Sequence, residues 1–205
     1  MRPTMRPVVA TLVGLLLALG CAHAPAAGGR PTGAVARRSA TEVASFTALA
    51  VGNQWTWDDQ SPSLPPGRAV PRQVRIVGRS ADGFFQDDQH GELKLSGGCL
   101  QDRVRRLLCG PLEVGTSWKS VVSVSSTEKY EIVGVGETVT VPAGTFQGCV
   151  RVRAVNPGPP GTELVGEITY APGVGAIRIE TLVVFNGAAT PQLKAVLRSY
   201  RLEGK

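Results

Sequence analysis

Beyond residue 41, apolar and polar residues alternate with a period of two in short runs broken by glycine and proline. Val70–Val77 runs Val-Pro-Arg-Gln-Val-Arg-Ile-Val. Ser120–Val124, Tyr130–Val135, Cys149–Val155, Ile177–Val184 and Leu193–Leu202 have the same β-branched, strand-forming character. Within Cys149–Val155 the even positions Val150, Val152 and Ala154 are apolar, while Arg151 and Arg153 stand at odd ones. This separation predicts a strand with one buried face. Turn-forming residues divide the runs at Ala81-Asp82-Gly83, Pro142-Ala143-Gly144, Asn156-Pro157-Gly158 and Ala171-Pro172-Gly173. Helical character is confined to Thr41–Ala50, where Thr41 suits an N-cap; a helix so short is marginal without tertiary support. The pattern predicts an all-β domain over residues 42–205, a single antiparallel meander of about ten strands forming a barrel or a curved half-barrel. A two-sheet β-sandwich is the alternative.

The first residues follow another pattern. Arg2 and Arg6 precede an apolar run from Val8 to Leu19, and Ala18-Leu19-Gly20 leads into Cys21. A basic n-region, a short h-region and small residues before a cysteine predict a lipoprotein signal peptide over residues 1–20. Ala18 stands where the bacterial lipobox usually has Leu. The run is shorter than the roughly 20 apolar residues of a membrane-spanning helix. On this reading the Cys21 thiol is acylated, by palmitate or a similar chain, and becomes the mature N-terminus. Each buried methylene contributes about 0.8 kcal/mol, so a multiply acylated cysteine is a lasting anchor. Ala22, where inner-membrane lipoproteins often carry Asp, points to the outer membrane, with the domain in the periplasm. An ordinary secretory cut after Ala24, discarding Cys21, is the other reading. Residues 21–41 are rich in Ala, Gly, Pro, Arg and Ser and predict a flexible tether.

Charge changes the picture once it is located. The chain carries a formal +6, with 22 Lys and Arg against 16 Asp and Glu. Five of those cations (Arg2, Arg6, Arg30, Arg37 and Arg38) precede residue 42, leaving 17 against all 16 anions in the domain. A nearly neutral domain offers no electrostatic case for nucleic acid.

Apart from Cys21, the cysteines are Cys99, Cys109 and Cys149. In an exported protein a disulfide is expected. Cys99 and Cys109 flank Gln101–Arg105, a plausible hairpin tip, and closing that loop would stabilise by about 3 kcal/mol. Cys149 is then a buried single thiol, although its pairing with either partner stays open.

The candidate chemical clusters are sparse. Asp87-Asp88-Gln89-His90 gathers two carboxylates and an imidazole, but neighbours on an extended chain face opposite ways and calcium-loop spacing is absent. A solvated hairpin tip turning at Gly91 is the simpler reading, and no metal or other cofactor is expected. Ser126-Thr127-Glu128-Lys129 matches Ser-x-x-Lys, yet it sits in strand-like sequence without the partner motifs of penicillin-recognising enzymes. Gly134-Val135-Gly136 and Gly173-Val174-Gly175 have no helix following them and are expected in turns. Arg103, Arg105 and Arg106 could grip phosphate, or form an exposed basic turn. In Gln54-Trp55-Thr56-Trp57 both tryptophans share one face, expected inward; with Phe146 they are the candidate lining for an apolar ligand. Trp118 is expected in the core.

Four blocks together resemble an uncharacterised group of bacterial envelope β-proteins. They are Val51–Trp57, Pro111–Trp118, Thr138–Phe146 (Val-Pro-Ala-Gly-Thr-Phe, then Cys149 and Val152), and Tyr170-Ala-Pro-Gly-Val-Gly175 with Glu180. The resemblance spans most of residues 50–182 and implies a secreted or lipid-anchored β-domain, with no catalytic set to carry over.

The chain thus reads as an outer-membrane lipoprotein whose leading role is a non-enzymatic interaction or assembly module. The alternative is a carrier or sensor of an apolar ligand; an envelope enzyme is the third class. A hollow interior separates the first two, and the surroundings of His90 bear on the third. The expected partners are the membrane, through the lipid, and an envelope protein or apolar ligand.

Overall fold

The alternating pattern folds as a continuous meander in the computed structural model, which describes residues 42–203. The signal peptide at 1–20, the tether at 21–41 and the acylation site Cys21 lie outside the described residues. Twelve strands follow in order: β1 Gln54–Gln60, β2 Val70–Arg79, β3 Phe85–Asp87, β4 Glu92–Ser96, β5 Cys99–Gln101, β6 Arg106–Cys109, β7 Ser117–Ser123, β8 Ser126–Val141, β9 Gly144–Pro157, β10 Thr162–Ala171, β11 Gly175–Phe185 and β12 Ala188–Arg201. They lie in the order β6-β5-β4-β3-β2-β1-β12-β11-β10-β9-β8-β7. Every pairing is antiparallel, and β1 also pairs with β12 from Gln54–Arg201 to Gln60–Lys194. One sheet therefore curls into a nearly closed barrel with a single unsealed seam, between β6 and β7. The sandwich alternative is set aside. Strands β3 to β6 span only three to five residues each, too short for alternation to show, so the sequence pattern predicted about ten strands.

The 16-residue β8 has register shifts at Ile132/Gly134, Val135/Glu137 and Glu137/Val139. Each extra residue bends a strand and raises its local twist. Gly134-Val135-Gly136 was expected in a turn; it sits instead at these irregularities. Gly136 has φ +74°, and a Cβ on Gly134 would meet the Glu137 carboxylate at 2.1 Å. The bend carries the β8–β9 hairpin back to β12, where Ala143 N–H donates to Leu197 O at 3.0 Å. Cys149 shares the alternation of Arg151, yet it is fully buried, because Val139 and Val141 of this hairpin pack in its cluster.

A second cluster fills the barrel from one end. The helix anticipated over Thr41–Ala50 contracts to one turn at Glu42–Ala44. Val43 and Phe46 pack there with Leu100, Leu108, Tyr130, Ile132, Val150 and Val152. Burying such a side chain contributes roughly 1.5–3 kcal/mol, which supports a turn that could not persist alone. The segment is tied down by Gly173 N–H, which donates to Ser45 O at 2.6 Å. Asn53, itself buried, donates through Nδ2 to Ala48 O at 2.6 Å and accepts from Glu203 N–H at 2.7 Å.

At the seam, side chains replace the missing ladder bonds. Trp118 Nε1 donates to Arg106 O at 2.7 Å, Arg106 N–H donates to Ser120 Oγ at 3.0 Å, and Arg106 Nη2 donates to Lys119 O at 2.7 Å. Trp118 stacks on Tyr130 with ring centroids 5.5 Å apart and planes 9° from parallel. Beside them Cys99 and Cys109 are paired in register across β5–β6 and form a disulfide, and Cys149 is the free, buried thiol.

Candidate functional site

Beside the packed clusters the barrel leaves a partly open apolar pocket. Its volume of about 410 Å³ lies inside the range of roughly 300–1,000 Å³ typical of small-molecule sites. Its walls follow from the pairing of β1 with β2. Trp55 stands opposite Val74 and Trp57 opposite Arg72, and side chains directly opposite share a face. Both tryptophans line the cavity, in agreement with their period-two spacing. Trp55 is held by its Nε1, which donates to Val174 O at 3.0 Å in the β10–β11 turn. That turn needs left-handed backbone at Gly173 and Gly175, with φ of +71° and +98°. Phe46–Leu49 closes part of the space, and Val74, Ile76, Leu93, Ile168 and Ile179 complete most of the apolar wall.

Phe146 is not part of this lining. On the hairpin that follows the register shifts in β8, Phe146 packs against the Trp57–Leu197 cluster, 6.1 Å from Tyr200, ring to ring. The other candidate ligand residues, Trp55 and Trp57, are brought together.

Polar groups at the cavity are few. Arg72 is gripped by Asp59, Nε to Oδ2 at 2.6 Å and Nη2 to Oδ1 at 3.2 Å, and lies 5.8 Å from the Trp57 ring centroid. Its side chain is 36% exposed and Gln89 is exposed, so these two mark the rim. Deeper, Tyr170 lines the space with only 2% of its surface exposed. Burial pushes the Tyr170 hydroxyl well above the usual tyrosine range, and the Asp102 carboxylate adds to the effect. Tyr130 is different: its hydroxyl donates to Glu128 Oε2, which also accepts from Arg105 Nε at 3.0 Å. Neither Arg72 nor Tyr170 was singled out in the sequence as a ligand contact. Arg72 could have been found from its place opposite Trp57, whereas Tyr170 entered only within a turn motif.

The remaining candidates are structural. At Asp87–Gly91 the Asp87 Oδ1 accepts Gln89 N–H at 2.8 Å and Gly91 N–H at 2.7 Å, while Asp88 Oδ1 accepts Arg75 N–H at 3.0 Å. The left-handed residue is His90 (φ +68°), not Gly91. Gly91 serves close approach, since a Cβ there would lie 2.3 Å from Asp87 Oδ2. No cluster of three or more metal-ligating side chains occurs among the described residues. Ser126 and Lys129 are three apart on β8 and so point to opposite faces; Ser126 Oγ is bonded to Asn156 Oδ1 at 2.7 Å. The three arginines are engaged. Arg103 bridges Asp82 and Glu92 and covers the Phe84 ring at 4.0 Å, Arg105 holds Glu128, and Arg106 spans the seam.

Fold and pocket together define an antiparallel β-barrel with a partly open apolar pocket. Among solved structures the chain is similar to a protein assigned as a lipoprotein from Parabacteroides distasonis, at 12% identity and TM-score 0.44. It is also similar to one from Bacteroides fragilis, assigned as exported and having a YmcC-like fold, at 17% identity and TM-score 0.47. Each likeness covers 76% of this chain and 98% of the other. No family model and no curated protein matches the chain.

Proposed function

We propose that the domain is a non-enzymatic carrier or sensor of an apolar ligand held inside the barrel, presented from the outer membrane into the periplasm by acylated Cys21. The observation that carries this reading is the cavity itself, with Trp55, Trp57 and aliphatic side chains around it. A purely structural barrel of this size gains by filling such a space, because interiors pack at crystal-like density and unfilled volume forfeits contacts. The apolar pocket therefore reverses the order of the two leading sequence readings and puts the carrier ahead of the assembly module. The surroundings of His90 favour no hydrolytic role, since the adjacent Asp87 and Asp88 carboxylates accept backbone N–H groups.

Native mass spectrometry of the full chain, extracted gently from envelope, tests the proposal. A reproducible added mass beyond the anchor, of lipid size, is expected. A bare protein mass that stays bare when long-chain lipids are offered returns the interaction module to first place.

A further inference from the structure

On the reading that the apolar pocket is a binding site, the charges at its rim decide which ligand it takes. Among the described residues that line it, Arg72 is the one cation and Asp87 the one carboxylate. The Arg72 guanidinium stands beside the pocket wall: Arg72 is opposite Trp57 in the β1–β2 ladder, and its Cζ lies 5.8 Å from the centroid of that ring. A free guanidinium in such a place would hold a carboxylate or phosphate head, because its fork matches two oxygens at once.

Arg72 is not free. Asp59 is two residues beyond Trp57 on β1 and diagonal to Arg72, so the ladder itself brings the pair together. Arg72 Nε donates to Asp59 Oδ2 at 2.6 Å and Nη2 to Oδ1 at 3.2 Å. The Nε–Nη2 edge that an incoming carboxylate would use is thus filled by an internal one. Asp87 adds a second carboxylate, whose Oδ1 accepts the N–H groups of Gln89 and Gly91 at 2.8 and 2.7 Å, donors that bring no net charge. The rim therefore sets two carboxylates against one guanidinium. An anionic head would lose hydration there and meet like charge, whereas an uncharged head incurs neither cost.

We propose that Asp59 is a positioning residue that sets the ligand's charge: by neutralising Arg72 it makes the pocket select long-chain amphiphiles without negative charge and reject the corresponding carboxylates. Asp59 itself stands outside the lining and acts through Arg72.

The test displaces the uncharged fluorescent probe N-phenylnaphthylamine from the full chain with dodecanol or dodecanoate at pH 8. The measured quantity is the ratio of the two half-displacement concentrations, which in the wild type should favour dodecanol. In Asp59→Asn and in Asp59→Ser the guanidinium loses its counter-charge, and the ratio should shift toward dodecanoate by ~10-fold, the worth of one charge-assisted hydrogen bond. Adding Arg72→Gln to either variant should remove that shift, a result that a merely structural role for Asp59 would not give. The ion pair is partly exposed, at 36% and 22% of the two side chains, so the variants should melt close to the wild type. A wild type that takes dodecanoate as tightly as dodecanol, an unchanged ratio in both Asp59 variants, or a shift that survives Arg72→Gln overturns this inference while the carrier reading stands. Failure of the probe and both compounds to bind the wild type overturns both.

Discussion

Asn53 joins three parts of the barrel, and its removal measures what the cavity's closing segment is worth. Its Nδ2 holds Ala48 O at 2.6 Å and its Oδ1 holds Glu203 N–H at 2.7 Å, linking the segment that closes the cavity to the C-terminal end of the chain. Asn53→Ala leaves one carbonyl and one N–H without these partners. Each net bond contributes about 1 kcal/mol, and a buried orphan costs about 1–3 kcal/mol. Ala48 is half-buried and Glu203 exposed, so solvent can compensate in part. The total should be about 2 kcal/mol, which in a domain of this size lowers the melting temperature by about 6 °C. Asn53→Asp keeps an acceptor for Glu203 N–H but turns a carboxylate oxygen toward Ala48 O, so it should be no better. The assays are thermal melting and amide hydrogen exchange, the latter expected to accelerate over residues 43–49 while β9 and β10 keep their protection. A melting temperature within about a degree of wild type, or uniform acceleration throughout, would refute the reasoning.

Three further predictions concern other parts of the chain. Trp118→Phe retains most of the stack on Tyr130 but orphans Arg106 O, so exchange should quicken on β6 and β7, with about 1 kcal/mol lost; unchanged exchange at the seam would count against it. Asp82 is held down at about 2 by hydrogen bonds from Arg103 and then Ser80, and Glu92 is lowered by Arg103 and then Gln86. Depressed carboxylates contribute stability above their unfolded values of 3.8 and 4.5 and lose it as pH falls toward 2. Carboxyl NMR titration should thus show both groups below the ordinary range in wild type and within it in Arg103→Gln. Cys21→Ser should abolish incorporation of labelled palmitate, and a variant still acylated would defeat the anchor assignment.

Much of the fold was legible because alternation is a local signal. Trp55 and Trp57 share a face by spacing alone, and the Cys99–Cys109 disulfide follows from the hairpin between them. What escaped depends on distant residues. Phe146 was misplaced because the register shifts in β8 re-aim the hairpin, and no single strand's alternation reveals a bulge in its partner. The short helical turn at Glu42–Ala44 looked longer because Val43 and Phe46 are three residues apart, whereas their burial comes from β5, β6 and β8–β10. Arg103 seemed a free cation until β2–β3 and β4 brought Asp82 and Glu92 to it. Tyr170 was invisible as a contact, since which residues of different strands line a pocket is a property of the assembled interior.

The central claim is that the barrel's interior takes an apolar ligand, and tryptophan fluorescence reads it directly. The chain contains three tryptophans; Trp55 and Trp57 line the cavity, and Trp118 lies at the seam. Titration with a brominated long-chain alcohol should quench the full chain strongly and saturably. In the Trp55→Phe/Trp57→Phe variant, the remaining Trp118 emission should persist. Equal fractional quenching in the two proteins, or none in either, would contradict a ligand inside the barrel.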